Sequence, residues 1–181
     1  MTKSEQYYAS KMAIAARKSC VDGELIDENT RKIDFETLQN IVNNFGGKLF
    51  ENESSYSYYK HIDKTPNFEI CIGNDIKKED KSITVLTALG IPFFDKDKLP
   101  DNCTIKLSEF GLSEAVGKYD LSYYEILHFA REFLMPENLY DQSMVENMTE
   151  EGKFDCIEMS KDFGTGYMKV LTRGEDLGKW H

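Results

Sequence analysis

The order of hydrophobic patterns along the chain predicts an α+β fold, mainly helical with a small three-stranded sheet. Two helical patterns open the sequence, a cluster of short alternating segments follows, and helical patterns fill the rest. With 181 residues, 40% hydrophobic content and no linker rich in Pro, Gly or Ser, residues 1–181 read as one domain with a real core.

Each element has a local cause. Thr2 and Glu5 have capping-box spacing, and the alanine-rich run after them predicts an N-terminal helix over 1–20. Asp34 can cap a second helix in which Leu38, Ile41, Val42 and Phe45 recur on one face, ended by Gly46-Gly47. Lys48–Phe50, Ser55–Tyr59 and Asn67–Ile72 predict strands; in the last, Phe68, Ile70 and Ile72 share a face. Ser82–Gly90 predicts a short apolar helix stopped by Pro92, because the residue before proline is biased out of the helical region. Phe94–Thr104 reads as a loop. Helices are expected at Leu107–Gly117, Leu121–Leu134 and Pro136–Met148, with one or two more within Glu150–Leu171. Phe163-Gly164-Thr165-Gly166 reads as a helix C-cap or turn rather than a phosphate cradle.

Composition narrows the function classes. A formal charge of −10 repels phosphates, which excludes direct nucleic-acid binding as the expected activity. The apolar runs are too short for a bilayer, and the N-terminus lacks a basic segment followed by an apolar one, so no membrane association and a cytoplasmic location are expected. Cys20, Cys71, Cys103 and Cys156 are scattered without a C-x-x-C pair, which fits reduced thiols.

Residues 123–136 carry the most specific signal. Glu125, Phe129, Ala130, Phe133, Leu134, Met135 and Pro136 resemble the E-A-N-x-F-A-x-x-L-L-M-P helix of the ImmA/IrrE family of zinc-dependent peptidases. Softer likeness extends over about residues 35–178, and implies a zincin-like fold. In that family the glutamate, here Glu125, is the third zinc ligand; two histidines of an upstream H-E-x-x-H helix are the others. The family's I-x-I-N strand and F-T-L-A-H-E-L-G-H helix align with Ile70–Asn74 and Ile83–Ile91, with Thr84, Leu89 and Gly90 matching. That register puts Thr87 and Ile91 at the histidine positions and Ala88 at the general base.

Zinc needs two imidazoles at i and i+4, and a base beside the metal-bound water. Thr87, Ala88 and Ile91 supply neither, so no catalytic residue, metal or other cofactor is expected, and Glu125 reads as a vestigial ligand position. A competing register over Ser108-Glu109-Phe110-Gly111-Leu112 keeps Glu109 as a base but also lacks histidines. The chain has only His61, His128 and His181. Glu125 and His128 form a single E-x-x-H pair with Glu132 on the same side. Because Ile126, Leu127, Ala130, Phe133 and Leu134 mark the core face, these three polar residues are expected on a solvated stripe.

Active members of the family, found largely near phages and mobile elements or in stress responses, cleave helix-turn-helix repressors. The resemblance therefore implies a catalytically inactive relative acting by protein–protein binding, as a regulator or inhibitor. A basic DNA-binding repressor or a nucleic-acid-binding defence protein is the expected partner, attracted by the acidic surface. The alternative is an active metallopeptidase using Glu125, His128 and His61 as unorthodox ligands; a remnant without selected activity is a third reading.

Overall fold

The computed structural model describes residues 2–53, 55–64 and 67–179, apart from the side chain of Glu109. Helix α1 (Lys3–Asp22) begins with the expected capping box between Thr2 and Glu5. Helix α2 (Phe35–Asn44) starts at Asp34, whose carboxylate accepts the Thr37 N–H at 2.8 Å. Gly46, at φ 81°, turns the chain into strand β1 (Gly47–Glu51).

The sheet has four strands rather than the expected three. β2 (Tyr58–His61), β3 (Phe68–Ile72) and β4 (Thr104–Lys106) join β1 in the order β1-β3-β2-β4. β1 runs parallel to β3, whereas β2 is antiparallel to both β3 and β4. The segment expected to be a loop thus ends in a strand. Its signal was the alternation Cys103, Ile105, Leu107, all buried, which Pro100 and the surrounding charges obscured.

Helix α3 (Lys81–Phe94) also differs from expectation, because Pro92 lies inside it rather than stopping it. Proline removes one N–H and disfavours the preceding helical residue, but only the final turn is affected. That turn is held by packing: the Phe93 and Phe94 rings lie 5.0 and 5.9 Å from the ring of Phe129.

Helices α4 (Glu109–Tyr119), α5 (Tyr123–Leu134), α6 (Glu137–Glu146), α7 (Cys156–Phe163) and α8 (Tyr167–Asp176) complete the chain. Gly164, at φ 60°, is the left-handed C-cap of α7, as its sequence context predicts. Among the described residues no helix is long and apolar enough to cross a membrane. The four cysteines are free, and burial pushes the Cys20 thiol up to about 11.

Helix α5 is the centre of the architecture, with α3 packed on one side and α1 on the other. Close approach to α3 depends on Gly90, where a Cβ would lie 3.2 Å from Ile126 Cγ2. Close approach of α1 uses a stripe of small residues, Ala9, Ala13 and Ala16, all buried. This second partner overturns the expected solvated stripe: His128 is 1% and Glu132 7% exposed, and only Glu125 is half-buried. Hydrophobic periodicity identifies a helix's apolar face but not a neighbour that covers its polar face.

Candidate functional site

The residues aligned with the zinc helix lie inside the protein. Ala88 and Ile91 are fully buried core residues of α3. Thr87 is 6% exposed, and its hydroxyl donates to the Ile83 carbonyl one turn back at 2.8 Å. Its residue lines a cleft of about 570 Å³ together with Tyr123, Leu127 and Arg131 of α5.

Glu125 lies elsewhere. Tyr123, Leu127 and Arg131 recur every four residues and so share one helical face, whereas Glu125 is two residues out of phase. It lines a separate concavity of about 990 Å³ with Phe110, Asp120, Ser122 and Tyr124. Tyr123 borders both spaces. Helical phase alone could have separated Glu125 from Leu127 and Arg131, but only the packing of α3 shows which phase faces Thr87.

The other proposed donors do not gather around it. His61 belongs to β2, and its Nδ1 is buried without a partner. His128 lies beneath α1; Glu109 has no described side chain, and His181 is outside the described residues. Among the described residues no three His, Cys, Asp or Glu side chains group so as to hold a metal ion. The donor set does not fit the family's zinc.

A second polar cluster, which the sequence did not reveal, joins α1, α5 and α8. Ser10 Oγ lies 2.8 Å from His128 Nε2, and His128 Nδ1 lies 3.6 Å from Asp176 Oδ2. Arg131 Nε donates to Asp176 at 2.6 Å, and Arg173 Nη2 donates to Glu132 at 2.7 Å. Burial opposes ionisation of Asp176, but its contacts with His128 and Arg131 outweigh that and hold the carboxyl below its usual range. Ser10 Oγ also donates to Glu132 Oε2 at 3.3 Å, so this one hydroxyl stands between His128 and Glu132.

The order Ser10, His128, Asp176 is that of a nucleophile, a base and its orienting acid. Acyl transfer also needs donors for the developing oxyanion. Ser10 sits in the middle of α1, where neighbouring N–H groups are engaged in the helix. It lines neither the Thr87 cleft nor the Glu125 concavity. The cluster is therefore a structural network that pins α8 to α1 and α5.

The Glu125 concavity is open to solvent. Phe110 and Tyr124 on its rim are 80% and 62% exposed. Lys98 also lines it, but its ammonium is bound by buried Asp95 at 2.9 Å, which raises its pKa. Asp95 in turn accepts from Ser122 N at 2.8 Å and Ser122 Oγ at 2.9 Å, fixing the start of α5. With Lys98 neutralised, Asp120 and Glu125 give the concavity its acidic character.

Comparison with protein-family models, curated proteins and solved structures gives no match in any of the three.

Proposed function

We propose that this chain is a degenerate relative of the ImmA/IrrE peptidases that works by binding another protein rather than by hydrolysis. The observation that carries the reading is the Glu125 concavity, where exposed Phe110 and Tyr124 stand beside Asp120 and Glu125. Exposed aromatic side chains lose most on contact with water and become anchors when covered by a partner. Carboxylates beside aromatic faces suit a lysine or arginine, through charge pairing and cation–π attraction.

The partner is therefore a basic protein, and a DNA-binding repressor or a nucleic-acid-binding defence component has the required surface. The burial of Ala88 and Ile91 and the self-satisfied Thr87 hydroxyl support a role without peptide cleavage.

Affinity capture from the native host, followed by titration with the captured protein, tests this. The Phe110→Ala/Tyr124→Ala double variant should bind at least about ten-fold more weakly, and affinity should fall with added salt. Unchanged affinity in that variant, or a salt-insensitive complex, would remove the reading. Stoichiometric zinc and a cleavage activity lost in Glu125→Ala would establish the metallopeptidase alternative instead.

A further inference from the structure

A cavity on another side of the molecule has the composition of an anion site, unexpected in a chain of formal charge −10. It lies where the segment leading into α2, the start of α3 and the α7–α8 turn meet. It measures about 640 Å³ and is lined by four lysines from three segments: Lys32, Lys78 with Lys81, and Lys161.

Three acids, Asp34, Glu51 and Glu79, line it as well, so the lysines exceed them by one. Glu51 pairs with Lys81 at 2.5 Å, and Asp34 is engaged as the cap of α2. Glu79, Lys32 and Lys78 are all exposed at the rim, and Lys161 pairs with Glu158, which lies outside the lining. Among the described residues, Lys32 and Lys78 make no ion pair. The Lys32 stem runs along the α7–α8 turn, where a Cβ on Gly164 would lie 3.1 Å from its Cγ.

A second, independent observation points to a ligand. Thr165, the next residue in that turn, lines the cavity and is 2% exposed, yet its hydroxyl has no hydrogen-bond partner. Buried hydroxyls are nearly always paired, and an orphan one needs an explanation. The start of α3 lines the same space through Ser82, and that helix has no side-chain cap.

Ile33, Phe35 and Leu38 add an apolar part to the lining. The volume is that of a small-molecule pocket, much larger than one phosphate. We propose that this cavity binds a phosphate monoester attached to a flat apolar body, of the size of a nucleoside monophosphate. Lys32, Lys78 and the Thr165 hydroxyl would hold the phosphoryl group, while Phe35 and Leu38 support the body.

The test is an NMR titration of the full chain with AMP, with inorganic phosphate and adenosine as separate probes. AMP should shift the backbone amides of Ser82, Thr165 and Gly166 saturably, with a Kd below about 1 mM. Phosphate and adenosine should each bind at least about ten-fold more weakly than AMP. Lys32→Ala/Lys78→Ala should weaken AMP binding at least about ten-fold. Thr165→Val should weaken it several-fold while leaving Tm unchanged or higher, since the hydroxyl it removes has no structural partner.

An absence of saturable shifts with AMP, or equal affinity in the double lysine variant, would overturn the site. Equal binding of phosphate would overturn the apolar half of the assignment, and equal binding of adenosine the anionic half. Because Phe110 and Tyr124 lie outside this cavity, their substitution should leave AMP binding unchanged, which separates this test from that of the protein-binding surface.

Discussion

Glu132 of α5 and Arg173 of α8 form an ion pair at 2.7 Å, with side chains 9% and 1% exposed. Arg173 Nε also donates to the Met135 carbonyl at 2.9 Å, so the guanidinium closes the C-terminal end of α5 as well. Such a pair is costly to desolvate and holds only while both charges are present.

Removing one partner strands the other charge in the interior. Arg173→Met should destabilise the fold by about 3–5 kcal/mol. The Glu132→Leu/Arg173→Met double variant should recover much of that loss, because it leaves no bare charge behind. Urea unfolding monitored by circular dichroism measures both. A loss in Arg173→Met below about 0.5 kcal/mol, the range of ordinary surface substitutions, would mean that the pair is solvated.

This pair also shows where sequence stops predicting structure. Features with local causes were legible: the Thr2–Glu5 capping box, the Asp34 cap and the left-handed Gly164 all occur where residue type requires them. Strand β4 was hidden because three residues of alternation cannot outweigh a proline and several charges beside them. The polar face of α5 gives no sign that Glu132 and His128 are buried, because their cover comes from Ser10 and Arg173, more than forty residues away in opposite directions. For the candidate site, the apolar run Ser82–Gly90 marks the helix, α3. The rotation of α3 against α5, which turns Glu125 away from the Thr87 cleft, has no signature in either segment alone.

Asp176 should make stability depend on acid pH. Its folded-state pKa is depressed despite burial, through His128 and Arg131, so the unfolded chain binds more protons as pH falls. The contribution is fully present above the ordinary carboxyl value of about 4, and is lost as pH falls through the lower folded value. Asp176→Asn should be less stable than wild type at pH 6, and the difference should shrink steadily below about pH 4. Urea midpoints measured from pH 6 downwards test this; a gap that stays constant would assign the ion-pair contribution to another group.

Gly73 ends strand β3 at a point where the returning chain leaves no room. A Cβ there would lie 2.0 Å from the carbonyl oxygen of Ser55, a contact with backbone rather than with a side chain that could swing aside. The same junction is tied by hydrogen bonds: Gly73 N donates to Ser57 Oγ at 2.8 Å, and Ser57 Oγ donates to Asp75 at 2.6 Å. Gly73 has no positive φ, so the glycine is required for space rather than for backbone freedom. Gly73→Ala must push the 55–57 segment away from β3 and disturb both bonds. Overpacking of this kind costs about 1–3 kcal/mol, and the loss should appear as a lower urea midpoint. Asp75→Asn tests the hydrogen-bonded half of the junction separately, since it weakens the acceptor of Ser57 without adding volume. If Gly73→Ala were neutral while Asp75→Asn was destabilising, the polar tie rather than the close backbone approach would fix this junction.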